Sequence, residues 1–309
     1  MSESIDTEFA TAIEPLRGAL RVHCYRMLGT AHDSDDMVQE TLLRAWRARE
    51  TLADPQRLRP WLFRIATNAC LDELARRPRR VLASDVSAPT PGNEYPPSPA
   101  GDEIPWLEPM PDAWLTRDHD PAARYALRES VALAFVAALQ VLSPAQRAVL
   151  VLRDVIGFTA EETADTLDQS VSATKSLLHR ARTAIEGSTP AAFVDVAPEP
   201  VVAQYVRAIA EHDIDAMLAL LHDDIHTTMP PSPTWVAGRA ENELFYRRMF
   251  KGWTPGDVHV VPIGVNGGVG FEFHRGGVLR AIEAVEIRDG RIYRMHHFMQ
   301  PRVVALFSA

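Results

Sequence analysis

Cysteine is scarce: Cys24 and Cys70 stand alone among 309 residues, too few for a disulfide scaffold or a four-cysteine metal site. Both lie in helix-like apolar surroundings, where a buried reduced thiol is the ordinary state. No stretch approaches the 18 consecutive apolar residues of a membrane span, so no membrane partner is expected. The opening MSESIDTEF lacks the basic-then-apolar pattern of a secretory leader, which makes cytoplasmic residence the expectation. There is no internal repeat, and no motif implies a cofactor or a metal. Basic residues are in deficit as well, 32 against 41 acids for a net charge of −9. Taken whole, that balance argues against a nucleic-acid partner.

The deficit is local. Residues 1–82 carry a net +1, residues 124–187 are neutral and residues 188–309 carry −3, whereas 83–123 alone hold eight acids and one arginine. That short acidic segment is also proline-rich, and proline lacks the amide donor that helix and sheet require. It reads as an extended linker. Its Trp106, Leu107, Met110 and Trp114 are unusual for a solvated linker and predict docking on a neighbouring domain or along a partner protein. A second break, STPAAFVDVAPEP, spans 188–200. The chain therefore divides into 1–82, the linker 83–123, 124–187 and 188–309.

In the first piece, apolar residues from Phe9 to Leu28 follow helical spacing up to Gly29-Thr30. Asp33-Ser34-Asp35-Asp36 supplies an N-cap and first-turn acids for the next helix. That helix places Met37, Val38, Thr41, Leu42, Ala45 and Trp46 on one stripe, with Asp35, Gln39, Glu40, Arg44 and Arg47 facing away. The run PWLFRIATNACLDELARRPRR places Trp61, Leu62, Ile65, Ala69 and Leu74 inward, with Arg64, Asn68, Asp72 and Arg76 on another face. Arg76, Arg77, Arg79 and Arg80 form a basic cluster at its end, suited to phosphate and unstacked bases.

The second helical piece is strongly punctuated. Ser143-Pro144-Ala145-Gln146 and Thr159-Ala160-Glu161-Glu162 are capping boxes. After a tight turn, Ser170 caps the helix VSATKSLLHRARTAI. A short helix, a turn and a basic amphipathic helix make a helix-turn-helix pattern. Leu167, Val171, Leu178, Ala181 and Ile185 would pack the pair. Ser172, Thr174, Lys175, Ser176, His179, Arg180 and Arg182 carry groups suited to base edges and phosphate.

Together these pieces resemble an extracytoplasmic-function (ECF) sigma factor of bacterial RNA polymerase. DSDDMVQETLLRAWR resembles the family's polymerase-binding helix, PWLFRIATNACLDELARR its −10 segment, and LSPAQRAVLVLRDVIGFTAEETADTLDQSVSATKSLLHRARTAI its −35-binding domain. The resemblance implies core RNA polymerase and promoter DNA as partners. It implies polymerase contacts at Asp33, Asp35, Asp36, Val38, Gln39 and Glu40. The −10 contacts would come from Arg64, Asn68, Asp72, Arg76, Arg77, Arg79 and Arg80. The −35 contacts would come from Ser170, Ser172, Thr174, Lys175, Ser176, His179, Arg180 and Arg182. Two positions depart from the family pattern, with Asp168 where glycine is frequent in the turn and Leu177 where arginine is frequent. The resemblance also implies that the acidic linker runs near the polymerase's template and RNA path.

From residue 199 two helices precede a third at Ala240–Phe250, and the pattern then becomes alternating. Asn266-Gly267 and Asp289-Gly290 mark two hairpins. Helices followed by a curved antiparallel sheet predict an α+β cone with an interior cavity. HDDIHTTMPPSPTWVAGRA and EIRDGRIYRMHHF resemble the SnoaL-like fold, and a subset of ECF sigma factors carries such a tail with a linker motif like Trp106-Leu107-Glu108-Pro109. The fold expected is thus multidomain: two all-α sigma domains, the second a helix-turn-helix, and a SnoaL-type α+β cone.

Members of that fold include enzymes using Asp/His pairs, which makes His226, Asp257, His274, Glu283, His296 and His297 the candidates for acid–base work. Adjacent strand histidines point to opposite faces. The leading reading is a non-enzymatic, promoter-specific sigma factor tuned by its tail, whose cavity could hold a small apolar ligand. Two alternatives stay open: a helix-turn-helix regulator independent of polymerase, and a SnoaL-like enzyme with a vestigial sigma half.

Overall fold

The structure, a computed structural model, describes residues 9–52, 54–94, 101, 103–115, 121–186 and 199–308. The opening stretch 1–8, the linker residues Pro96, Pro97, Pro99, Asp102, Asp118 and Asp120, and most of the 188–200 break lie outside the described residues. The chain forms two units. One is Met1–Arg80 with Ala113–Pro190; the other is Val81–Asp112 with Ala191–Ala309.

The first unit is helical: α1 (Arg17–Leu28), α2 (Ala31–Ala48), α3 (Leu58–Leu74), α4 (Pro121–Glu129), α5 (Leu133–Leu139), α6 (Pro144–Leu150), α7 (Ala160–Leu167) and α8 (Val171–Glu186). Gly29, at φ 72°, closes α1 in the left-handed region that glycine enters freely. The cap of α2 is Thr30, whose hydroxyl accepts from Asp33 N at 3.0 Å. The helix therefore starts three residues before the Asp33 cap expected from the sequence. Both capping boxes form, with Ser143 and Gln146 bonded reciprocally, as are Thr159 and Glu162. A five-residue π-helical turn, Val151–Val155, carries α6 toward Gly157.

The two helical pieces are not separate bodies. One core runs through both, joining Leu20, Met27, Leu62, Phe63 and Cys70 to Leu139, Val149, Leu152, Phe158 and Leu178. Phe63 meets Phe158 edge-on at 5.9 Å. Two buried guanidiniums bridge the pieces. Arg26 donates to Ser130 Oγ at 2.5 Å and to Ser130 O at 3.1 Å, and Arg147 donates to Met27 O and, at 2.8 Å, to Gln140 Oε1. Both cysteines are free and buried in this core.

The second unit holds α9 (Glu199–Glu211), α10 (Ile214–Ala219), β1 (Leu221–Thr228), β2 (Trp235–Ala237), α11 (Arg239–Met249), β3 (Val258–Val265), β4 (Gly268–Arg275), β5 (Val278–Arg288), β6 (Arg291–Phe298) and α12 (Pro301–Ala305). The sheet runs β2-β1-β6-β5-β4-β3. The two hairpins turn at Asn266-Gly267 and Asp289-Gly290, all four at positive φ. Sequence patterning did not expose β1 and β2; β1 lies parallel to β6, a pairing across some 70 residues that no local pattern announces.

Residues 81–112 belong to this unit, so the expected linker boundaries of 83–123 shift. The described residues of this segment are pinned at several points. Thr90 N donates to Trp235 O at 2.7 Å, Gly101 N to Pro231 O at 2.9 Å and Gly92 N to a carboxylate oxygen of Glu241 at 2.8 Å. A Cβ on Gly92 would stand 1.9 Å from Glu241 O, so only glycine fits against α11. Trp106, Leu107 and Met110 are buried, with Trp106 packed beside Trp235 and Ala83. Glu108 is buried and pairs with Arg302 at 2.7 Å, and Pro109 is buried with them. Met110 and Asn266 exchange two hydrogen bonds at 2.9 Å, so the segment ends gripping the β3–β4 turn. Trp106, Leu107 and Met110 are thus buried within the unit to which residues 81–112 belong. Trp114 sits in the first unit, under the Arg21 guanidinium at 4.6 Å.

Candidate functional site

On α2 the polar residues assigned to a polymerase partner separate into two groups. Asp36 and Gln39 are exposed and Glu40 half-buried. They line a groove with Leu43, Arg44, Asp72 and Arg76, where α2 meets α3. Asp33 instead accepts from Arg77 at 2.6 Å and from Arg80, and Asp35 pairs with Arg21 at 2.7 Å. Val38 is a correction: it is fully buried, on the inner face with Ser34, Thr41 and Ala45, so it meets the core rather than a partner. Trp46, placed inward by periodicity, is 38 % exposed.

Leu43 was missed. It is 53 % exposed, in the groove with the acids. The signal was present, since Leu43 lies four residues after Gln39 and three after Glu40 on the outer face of the helix.

The −10 candidates divide in the same way. Arg64 and Arg76 are exposed with no side-chain partner among the described residues, Asn68 is half-buried beside them on α3, and Arg79 is exposed. Arg77 and Arg80 are committed to Asp33, and Arg77 also to Glu73. Asp72 pairs with Arg44 at 2.9 Å. The basic cluster is therefore partly a clasp between the start of α2 and the end of α3.

In the helix-turn-helix, Ser170 Oγ accepts from Ala173 N at 3.2 Å and caps α8. Leu178 and Ala181 are buried, with Leu167, Leu177 and Ile185 packed around them. Ser172, Lys175, Ser176, His179 and Arg180 form an exposed stripe with no side-chain partner among the described residues. Thr174 is a second correction. It is buried on the Leu178 and Ala181 face, and its hydroxyl donates to Ser170 O at 3.1 Å. Arg182 is held in a two-pronged pair with Asp154, at 2.7 and 2.9 Å. Asp168 sits in the turn at φ 51°, ψ 51°, the conformation that glycine adopts without strain.

The second unit encloses a cavity of about 460 Å³. Met229, Met249, Trp253 and Phe273 form its walls, His297 is buried at its edge, and Arg275 and Arg280 stand exposed at the opening. Behind His297 runs a buried polar chain. Asn242 Nδ2 donates to Gly238 O at 2.9 Å, Val236 O at 3.3 Å and Ile225 O at 3.4 Å, so its Oδ1 accepts from the Thr227 hydroxyl at 2.6 Å. Thr227 then accepts from Tyr246 at 3.2 Å, and the Tyr246 oxygen faces His297 Nε2 at 3.4 Å. His297 Nδ1 lies 3.0 Å from Glu283 Oε1, and Tyr205 donates to Glu283 Oε2 at 2.8 Å. Burial raises both tyrosines above their ordinary range; the Glu283 charge adds to the effect on Tyr205. Both hydroxyls therefore stay protonated as donors.

Of the six acid–base candidates only Glu283 and His297 converge. His296 turns to the other face, on Thr228 at 2.8 Å. His274 pairs with Glu272 at 2.9 Å and stacks on His259. His226 lies between the rings of Trp235 and Tyr293, with its pKa lowered by burial and by Arg294. Asp257 is exposed and accepts from Thr254 N at 2.8 Å. Tyr205, Tyr246, Asn242 and Thr227 were not identified from sequence, because only the folded sheet gathers them. Among the described residues no helix is long and apolar enough to cross a membrane.

Three family models match the chain: sigma-70 region 2 over residues 12–80, sigma-70 region 4 over 132–185, and the SnoaL-like domain over 202–295. The chain is 41 % identical over 272 residues to the ECF RNA polymerase sigma factor SigG of Mycobacterium tuberculosis, covering 84 % of this chain and 71 % of SigG. It is 28 % identical over 308 residues to the ECF RNA polymerase sigma factor SigJ of the same organism, covering 93 % and 90 % of the two. The crystal structure of Mycobacterium tuberculosis SigJ matches with a TM-score of 0.65 at 26 % identity, over 96 % of this chain and 98 % of that one.

Proposed function

The chain belongs to the ECF RNA polymerase sigma factors, which direct transcription initiation, and from that premise we propose which of its surfaces carry the work. Core polymerase docks on the α2 groove, through Asp36, Gln39, Glu40 and the exposed Leu43. An apolar side chain set among acids is suited to a partner surface that is basic at its rim and apolar at its centre. Arg64, Asn68, Arg76 and Arg79 meet the melted −10 strand, and the α8 stripe enters the −35 major groove.

The observation that carries this reading is the α8 stripe itself. Ser172, Lys175, Ser176, His179 and Arg180 are exposed and unpartnered among the described residues, while the neighbouring Arg182 and Thr174 are used internally. A helix that leaves five polar groups unpaired on one face, behind a capped tight turn, is built to read a groove. The C-terminal unit modulates promoter use, with residues 81–112 as its attachment, and its cavity holds a small apolar ligand. The polymerase-independent regulator is the weaker reading, because the α2 groove with Leu43 would serve nothing in it.

Run-off transcription with core polymerase tests the assignment. K175A/R180A should lower promoter-specific initiation by at least about 30-fold, from two direct contacts worth about 1–3 kcal/mol each. L43E should abolish core binding and leave −35 duplex binding intact. Full −35 binding by K175A/R180A, or unchanged core binding by L43E, would remove the corresponding surface from the proposal.

A further inference from the structure

The cavity of the second unit is one-sided in its chemistry. Its walls are apolar, and every charged or titratable residue lining it is basic: Arg275, Arg280 and His297. Among the described residues no carboxylate lines it. Behind His297, Glu283 is fully buried and held by His297 and Tyr205. Arg275 is stacked on Trp253 at 4.6 Å, which fixes its plane beside the apolar wall. Asp257 lies close enough to feel the Arg275 charge but is bonded to Thr254 N and exposed to solvent. Arg280 has no partner among the described residues, although it stands at the rim of an apolar pocket.

We propose that this cavity binds an apolar monocarboxylic acid, its body between Met229, Met249, Trp253 and Phe273 and its carboxylate at the opening against Arg275 and Arg280. The inference rests on the reading that the C-terminal domain holds an apolar ligand, and it names the ligand's chemical class. A cation would meet three basic groups with nothing to neutralise it. A neutral apolar molecule would use the walls and leave both arginines idle. An acid uses both halves, and guanidinium is the side chain best matched to a planar carboxylate. The volume, about 460 Å³, falls within the range of small-molecule sites.

Calorimetric titration of the full chain tests this with paired probes: octanoate against 1-octanol, decanoate against 1-decanol, and 2-naphthoate against 2-naphthalenemethanol. At least one acid should bind about tenfold more tightly than its alcohol. R275Q/R280Q should bring that acid to parity with the alcohol while the alcohol's affinity stays unchanged. Both arginines are exposed, so the variant is expected to fold, and its far-ultraviolet circular dichroism checks that. Equal binding of acids and alcohols by the wild-type chain would overturn the acid class and leave the apolar cavity standing. Binding by no member of the set would overturn both. An acid preference that survives R275Q/R280Q would overturn the proposed place of the carboxylate.

Discussion

Arg26 offers the sharpest test of how the first unit works. Arg26 is 3 % exposed, and its guanidinium meets Ser130 O and Oγ across the junction of the two helical pieces. No carboxylate pairs with it among the described residues. Burial drags its pKa from 12.5 down to about 9, a cost of about 5 kcal/mol for holding the charge. Two hydrogen bonds from a charged donor return about 1.5–3 kcal/mol each, before the desolvation of Ser130 is counted. The closed junction is thus held by a group that would gain solvation if the pieces separated.

The proposed −10 and −35 contacts, if made together, would require that separation. A compact unit of roughly 160 residues is about 40 Å across, whereas elements named for positions −35 and −10 lie about 25 base pairs apart, about 85 Å along B-form DNA. The packed unit cannot reach both. Replacing the ion and its acceptor together, as R26M/S130A, removes the charge without leaving an orphan, a change that is commonly neutral or stabilising. The closed form should gain about 1–2 kcal/mol, which lowers the open population about 5- to 30-fold. Fluorescence anisotropy with a two-element duplex whose −10 segment is left unpaired should show that loss of affinity. A duplex carrying only the −35 element should bind unchanged, because the α8 stripe is already exposed in the closed unit. Equal affinity of wild type and R26M/S130A for the two-element duplex, or a parallel loss on the −35 duplex, would refute the reasoning.

Two further perturbations concern the same unit. His23 is fully buried; its Nε2 donates to Thr67, whose own proton goes to Phe63 O, and burial with the nearby Arg26 charge lowers its pKa from 6.5 to about 3. The unfolded chain therefore binds a proton that the folded chain refuses. This group's stability contribution is complete above pH 6.5 and falls by about 2 kcal/mol from pH 7 to pH 5. Urea unfolding at the two pH values should show that component in the wild type and not in His23→Gln; equal slopes would mean that His23 is protonated in the folded state. Asp168→Gly should relieve the left-handed turn and raise stability by about 0.5–1 kcal/mol, or about 1–4 °C in Tm. A lower Tm would show that the Asp168 side chain contributes more than its backbone strain costs.

What was legible in the sequence was what is local. Ser143 with Gln146, Thr159 with Glu162, and the Asn266-Gly267 and Asp289-Gly290 turns each depend on residues within three positions of one another, and each formed as read. The sites were less legible, because whether a polar side chain is free is decided by distant partners. Asp33 looks like an exposed first-turn acid until Arg77 and Arg80, more than forty residues on, close over it. Val38 lies on the apolar stripe read from periodicity, and its burial on α2 agrees with that stripe rather than with a partner contact, whereas Thr174 is polar and only the packing of α8 shows that its face is internal. The Glu283–His297 pair is set by strand register, which composition does not encode.

The segment 81–112 changes what the tail can be. Proline and acidic charge made it look like a tether, and a tether can be cut without consequence to what it joins. Here it buries Trp106, Leu107 and Met110, places Glu108 against Arg302, and supplies Asp112 Oδ1 to Gly267 N at 2.7 Å. Stripping the chain of residues 200–309 would uncover about three large apolar side chains, worth about 1.5–3 kcal/mol each on burial, and leave Glu108 without its arginine. The attachment is therefore part of the C-terminal fold rather than a spacer before it. Val81–Asp112 belong to the C-terminal unit from their first residue onward.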